Sequence, residues 1–241
     1  MGVLRRQADR HQPRGFRKAI EKRAASGAAI IAELKKASPS KGVIREDFRV
    51  PELARELEKA GAAALSVLTD EQYFQGSLEN LATASEETRL PCLRKDFIVD
   101  EFQIVEARAR GADAILLIVA ALDGEELVRL RACAQENEID VLCEVHDAAE
   151  LQRALTAGFE TIGINNRDLH TFRVDLNTCL QLVERIPAGV VKIAESGIET
   201  GADITRLRAA GFEGFLVGES LMRAPSPGDA LRGLLRQAVS G

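Results

Sequence analysis

The chain has 241 residues, a length that fits one large α/β domain or two small ones. It is 46% hydrophobic but only 4% aromatic with no Trp, so the core must be built from Ala, Val, Ile and Leu. A net charge of −5, from 32 basic and 37 acidic residues, argues against a nucleic-acid-binding surface, and any bound anion must be held by a local arrangement.

In chain order, the first stretch, "MGVLRRQADRHQPRG", is basic and helix-prone. It has no apolar segment of the kind a secretory signal needs. Arg6 stands where a myristoylation motif requires Ser or Thr. Residues 1–27 are expected to form an extension against one end of a barrel spanning 28–241. The first strand is "AAIIAELK" at 28–35, and a helix follows at 51–60 with Pro51 at its start. "KAGAAALSVL" (59–68) ends that helix at Gly61 and enters a second strand. "LPCLRKDF" (90–97) gives the third strand, and Asp100 opens the next helix. "RGADAILLIV" (110–119) gives the fourth; Asp123 opens a helix in which Leu127, Leu130 and Ala134 keep helical spacing. "DVLCEV" (140–145) is the fifth strand, with a helix start at Asp147. "AGFETIGIN" (157–165), "VVKIAESG" (190–197) and "AGFEGFLVG" (210–218) complete eight.

Each run is short and largely continuous, as expected of parallel strands covered on both faces. Gly61, Gly111, Gly158 and Gly211 recur as helix C-caps about every 50 residues, a structural repeat. Eight strands alternating with helices in a chain this long predict a single (β/α)8 barrel. The rival, a doubly wound open sheet, usually carries G-x-G-x-x-G after its first strand, and none is present. No apolar run reaches the roughly 18 residues that span a membrane. Cys92, Cys133, Cys143 and Cys179 have no C-x-x-C spacing and read as reduced thiols. A cytoplasmic protein is expected.

In such a barrel the C-terminal strand ends form the active site. Glu33 and Lys35 end strand one, two apart and on one side with Ile31. Strand three offers Lys95 and Phe97 in the register of Leu93; strand five offers Glu144; strand six offers Gly163, Asn165 and Arg167. Strand seven ends in Glu195-Ser196-Gly197 and strand eight in Gly218-Glu219-Ser220. A lone charge of this kind reads as a solvated strand end, but mixed charges converging from several strands read as a site. Gly197 and Gly218 stand at strand-to-helix turns, where backbone N–H groups and a helix N-terminus hold phosphate in many barrels. His11, His146 and His170 lack metal-ligand spacing, so no metal is expected. His146 follows Glu144 by two and could face the mouth, but is read first as a loop residue. Lys95 or Lys192 could serve a Schiff-base aldolase, and that alternative stays open. No G-x-S-x-G elbow supports a Ser-His-Asp triad.

These stretches resemble a known family. "IIAELKKASPSKG" (30–42), "LTDEQYFQGSLENL" (68–81), "LRKDFIVDEFQI" (93–104), "IGINNRDLHTF" (162–172) and "AESGI" (194–198) are similar, in the same order, to indole-3-glycerol-phosphate synthases of tryptophan biosynthesis. The resemblance runs from about Gly15 to the C-terminus. It implies a carbon–carbon lyase converting 1-(2-carboxyphenylamino)-1-deoxyribulose 5-phosphate to indole-3-glycerol phosphate, CO₂ and water, without cofactor or metal. It implies Lys95 as general acid at the carbonyl oxygen and Glu144 as the acid/base partner in dehydration. Lys35 would meet substrate anions and share the acid role, and Glu33 would hold and tune the lysines. Asn165 would hydrogen-bond substrate or intermediate; Glu195 and Ser196 would line the mouth. Gly197, Gly218 and Glu219 would offer backbone groups to the phosphate. Ser38, Phe74, Phe97 and Arg167 would touch substrate, with the Phe rings on the anthranilate ring.

Family members usually carry a longer helical segment before strand one, folded over the mouth; here only "GFRKAI" (15–20) and its flanks match it. The implied partner is a small phosphorylated molecule, not nucleic acid or membrane, and the chain is expected to act as a monomer. A related phosphate-sugar isomerase or aldolase, or a non-catalytic phosphosugar-binding barrel, remain the alternatives.

Overall fold

A computed structural model describes residues 2–169 and 171–239. Eight parallel strands close into a barrel: β1 (Ala29–Leu34), β2 (Ala64–Leu68), β3 (Cys92–Lys95), β4 (Ala114–Ile118), β5 (Asp140–Val145), β6 (Thr161–Asn165), β7 (Val191–Glu195) and β8 (Gly214–Val217). Each pairs with its sequence neighbours, and β8 closes on β1 with Ala29 opposite Gly214. All eight apolar runs are therefore strands. The helices that cover them include α3 (Val50–Ala60), α4 (Leu78–Glu87), α5 (Glu101–Ala109), α6 (Gly124–Glu136), α7 (Ala148–Thr156), α8 (Asn177–Leu182), α9 (Gly201–Ala209), α10 (Glu219–Arg223) and α11 (Pro227–Val239). Two further helices, α1 and α2, precede β1 and are described below.

The expected helix ends are present. Asp100, Asp123 and Asp147 cap α5, α6 and α7, their carboxylates accepting from Phe102 N, Glu126 N and Glu150 N. Pro51 is the second residue of α3. Gly61, Gly111, Gly158 and Gly211 hold left-handed φ values of 99°, 83°, 78° and 102°, a conformation that costs glycine little.

Strand alternation sorts the side chains. Ile31, Leu93, Leu116, Leu142, Ile193 and Leu216 point into the barrel and pack as one apolar plug. Their neighbours on the other side, such as Ile30, Ile115, Cys143, Ala194 and Phe215, pack under the helices. Because side chains repeat every two residues, the position two beyond each plug residue also faces inward, one level nearer the mouth. Those positions are Glu33, Lys95, Ile118, Glu144, Glu195 and Gly218. Lys192, two before Ala194, shares the outward side, so it is not a candidate Schiff-base lysine in the mouth.

The segment before β1 packs on the floor of the barrel. α1 (Gly2–Ala8) lies on α5, and α2 (Phe16–Ala24) seals the floor of the barrel rather than covering its mouth. Phe16 and Ile20, one helical turn apart, are fully buried in the interior plug. The small residues Ala29, Ala64 and Gly214 at the strand starts leave the hollow they fill. Arg17 N donates to Asp140 at the start of β5, and its guanidinium donates to Gly189 O just before β7.

The link between α1 and α2 is pinned by a buried ion pair. Asp113 has no exposed side-chain surface and accepts from Arg14 Nη2 (2.6 Å), Arg14 N (2.6 Å) and Cys92 N (2.7 Å), with His11 Nε2 at 3.1 Å. Burial alone would raise the Asp113 pKa, but His11 and Arg14 outweigh it and hold it below the usual range. Its stabilisation is complete above the unfolded value near pH ~4 and is lost as pH falls through the lower folded value. Replacing Asp113 by Ala strands Arg14 in a partly buried site. We expect Asp113→Ala to cost about 3–5 kcal/mol in urea unfolding at pH 7. The gap to the parent should narrow below pH ~4; a variant as stable as the parent at pH 7 contradicts the pinning.

Candidate active site

The C-terminal ends of the strands surround a cleft of about 1040 Å³, ample for a small phosphorylated molecule. Every site residue that the family resemblance implies lines it: Glu33, Lys35, Ser38, Phe74, Lys95, Phe97, Glu144, Asn165, Arg167, Glu195, Ser196, Gly197, Gly218 and Glu219. Glu33, Lys95, Glu144, Asn165 and Glu195 arrive on inward strand positions. Ser38 sits on a small ribbon (Ala37–Ser38 with Gly42–Val43) between β1 and α3. Phe74 ends a single helical turn capped by Asp70, and Phe97 follows β3 with 47% of its surface in solvent.

The centre of the cleft is one ammonium among carboxylates. Lys95 Nζ stands 3.0 Å from Glu144 Oε2 and 3.4 Å from Glu195 Oε2. Burial disfavours the ammonium, but Glu144, Glu195 and the more distant Glu33 outweigh it, and Lys95 is held protonated well above the ordinary lysine range. Lys35 Nζ lies 2.6 Å from Glu33 Oε1, so the structure gives Glu33 to Lys35 directly and to Lys95 only through its field.

The two carboxyls beside Lys95 part company. Burial would raise Glu144, yet Lys95 and His146 hold it well below the usual carboxylate range. Burial raises Glu195, Lys95 offsets only part, and Glu144 raises it further. At neutral pH the arrangement favours an ionised Glu144 and a protonated Glu195, two acids pushed apart by one environment. Asn165 orients Glu144: its Nδ2 donates to Glu144 Oε1 at 3.2 Å while its Oδ1 accepts from Arg167 N at 3.0 Å. Arg167 itself donates to Phe172 O across the loop after β6.

Two glycines make room for the acids. A Cβ on Gly163 would stand 2.0 Å from Glu195 Oε1, and one on Gly218 would stand 2.4 Å from Glu33 Oε1. Gly218 thus has a packing reason for being glycine as well as its place at the N-terminus of α10. Glu219, first residue of α10, pairs with Arg223 at 3.0 Å. Gly197 differs: it follows Ser196 with both in the left-handed region (φ 76° and 65°), a Cβ there would meet Val174 at 2.4 Å, and α9 begins four residues later.

The sequence reading passed over two contributors. Arg94 points outward from β3 and bridges Asp96 and Glu106 at 3.0 Å each, fixing the chain as it leaves Lys95. His146, read as a loop residue, is bound between Glu144 and Glu150. Burial lowers its pKa, but the two carboxylates prevail and push it up to about 10. The i,i+4 spacing of His146 and Glu150 at the capped start of α7 was the available signal. His170 lies outside the described residues.

A closed parallel barrel with this charge set at the C-terminal ends of its strands defines an acid–base enzyme of the (β/α)8 class. Within that class the sequence comparisons are specific. The chain belongs to the indole-3-glycerol phosphate synthase family, whose sequence model matches residues 2–234. It is 61% identical to the indole-3-glycerol phosphate synthase of Koribacter versatilis (strain Ellin345), over 95% of this chain and 88% of the relative. To that of Leptothrix cholodnii (strain ATCC 51168 / LMG 8142 / SP-6) it is 53% identical, over 96% and 89%. Among solved structures it is similar to thiamine phosphate pyrophosphorylase from Pyrococcus furiosus (TM-score 0.66, 18% identity, 88% of this chain and 96% of that one). KGPDC from Streptococcus mutans is similar too (TM-score 0.67, 14% identity, 89% and 99%). At such identities these two share the barrel alone.

The glycine slots give a direct test. Gly163→Ala should lower stability by about 1–3 kcal/mol through overpacking, and a crystal structure should show Glu195 displaced from Lys95. Gly124→Ala, where an added Cβ meets nothing within 4 Å, should melt at or above the parent temperature. Equal melting of Gly163→Ala and parent would contradict the slot.

Proposed function

We propose that the cleft performs the family's ring closure with Lys95 as general acid and Glu144 as the acid–base group of dehydration. The family is a carbon–carbon lyase, and its reaction sets three tasks. The aromatic carbon bearing the carboxylate attacks the ribulose carbonyl carbon, whose oxygen needs a proton as it becomes a hydroxyl. The carboxylate then leaves as CO₂, its bonding pair restoring the aromatic ring. Finally the new hydroxyl departs as water while a proton is removed from the five-membered ring.

The observation that carries this reading is the 3.0 Å contact between Lys95 Nζ and Glu144 Oε2 at the barrel mouth. Lys95, held as an ammonium, has a proton to offer the carbonyl oxygen. Glu144, held ionised, is ready to take one and can return it to the leaving hydroxyl. A Schiff-base lysine must instead shed its proton before attack, and the surroundings of Lys95 favour the opposite state. Lys35, paired with Glu33, is assigned to the substrate carboxylate and can share the acid role. Asn165 holds Glu144 in register and contacts the intermediate.

The remaining residues are assigned by their place in the cleft. Ser196, Gly197, Gly218 and Glu219 bind the phosphate, an assignment supported by the left-handed turn at Ser196 and Gly197 and by the start of α10. Phe74 and Phe97 flank the anthranilate ring, an assignment supported by the place of both rings in the lining of the cleft. Ser38 Oγ, buried without a hydrogen-bond partner among the described residues, and Arg167 complete the substrate contacts. We place the enzyme in the cytoplasm, a reading supported by four unpaired cysteines.

The test is turnover of the carboxyphenylamino-deoxyribulose phosphate followed by indole fluorescence. The parent should give a rise. Lys95→Ala should give none while keeping its fold, and Glu144→Gln should lose at least the ~10²-fold typical of general acid–base groups. A full rise in Lys95→Ala would move the acid role to Lys35, and no rise in the parent would overturn the assignment.

A further inference from the structure

The proposed chemistry does not use His146, although the fold delivers it to Glu144. His146 follows the end of β5 and its ring is largely buried. Nδ1 lies 3.0 Å from Glu150 Oε2, and the same oxygen accepts from His146 N at 2.7 Å. Glu150 is in turn fixed in the first turn of α7, its N–H donating to the Asp147 cap at 2.8 Å. The imidazole is therefore clamped on one side and presents Nε2 on the other. Nε2 stands 3.3 Å from Glu144 Oε1, close enough for an ion pair, but with no aligned hydrogen-bond acceptor among the described residues.

The groups facing Glu144 are few. Lys95 on β3 meets Oε2, while Asn165 on β6 and His146 meet Oε1. Glu195 on β7 faces the same ammonium, and burial and the Glu144 charge together raise its pKa. Facing His146 are Glu144 and Glu150. Among the described residues, only Lys95 and His146 supply positive charge to Glu144 by direct contact. When Lys95 gives its proton away, that one source of charge disappears at the moment the carboxylate is needed as a base. A second cation, tethered outside the substrate space, keeps the carboxylate ionised and its Oε1 edge fixed.

We propose that His146, clamped by Glu150, is a positioning residue that holds Glu144 ionised and oriented through the Lys95 proton transfer. This rests on the acid–base role assigned to Glu144. It makes Glu144–His146–Glu150 a carboxylate–imidazolium–carboxylate row running from the cleft to the surface of α7.

The experiment is the pH profile of kcat for the parent, His146→Gln, His146→Lys and Glu150→Gln, with Glu144→Gln alongside and folding checked by circular dichroism. His146→Gln removes the cation, so the acid limb should move up by about one pH unit. On the acid side of the limb kcat should then fall about tenfold with KM within about twofold, and the loss should vanish toward pH 8. His146→Lys restores a cation and should return the limb toward the parent position. Glu150→Gln leaves the imidazole in place but weakens its charge, and should move the limb the same way by less, which keeps the test alive if His146→Gln does not fold. An unmoved limb in both His146→Gln and Glu150→Gln, with Glu144→Gln inactive, would overturn this inference and leave the assignment of Glu144 standing. An active Glu144→Gln would remove both.

Discussion

The site depends on a single ammonium placed where three buried carboxylates converge. Without Lys95, the inward positions of β1, β5 and β7 would bring Glu33, Glu144 and Glu195 together at the mouth with, among the described residues, Lys35 and His146 left in ion-pair contact with them. Such a cluster of desolvated like charges is costly. With Lys95 in place, the charges arrange themselves by distance. Glu144, at 3.0 Å and touched also by His146, is held toward the ionised form, while burial raises Glu195, which lies farther from Lys95 and is raised further by Glu144. One cation thus yields two carboxyls in different protonation states, the condition acid–base chemistry at neutral pH requires.

The barrel separates this arrangement from what holds it up. The mouth carries charge, glycine turns and open aromatic rings. The floor carries the apolar plug, the α2 seal and the Arg14–Asp113 pin. Placing the repulsive groups at one end and the packing at the other lets the site hold unfavourable neighbours without loosening the core. The glycines at 163 and 218 join the two requirements, because the acids can lean over neighbouring strands only where those strands carry no side chain.

Much of this was legible in the sequence, for identifiable reasons. The strands could be read because each is a short apolar run with a polar end, four of them entered through a helix-ending glycine, and Asp100, Asp123 and Asp147 marked helix starts that the structure keeps. The mouth residues could be read because alternation along a strand carries Ile31 to Glu33, Leu142 to Glu144 and Asn165 to Arg167 on one side; family resemblance added Ser38 and Phe74, which lie on connecting segments where periodicity says nothing. What failed were contacts between distant parts of the chain. The placement of α2 depends on the hollow left by Ala29, Ala64 and Gly214, which no local pattern announces. Lys192 looked like a candidate until the register turned it outward. His146 was passed over because its meaning lies in Glu150 and in the turn that swings its ring back to Glu144.

Lys95 and burial together set the protonation of Glu144 and Glu195 apart. The most direct measurement is a carboxyl ¹³C NMR titration of glutamate-labelled protein between pH 4 and 10, with the two signals assigned by substitution. Glu195 should exchange its proton well above the usual glutamate value near ~4.3, and Glu144 should remain ionised to the acid end of the range. Two carboxyls titrating together near ~4.3 would contradict the account, because Lys95 would then not be setting them apart.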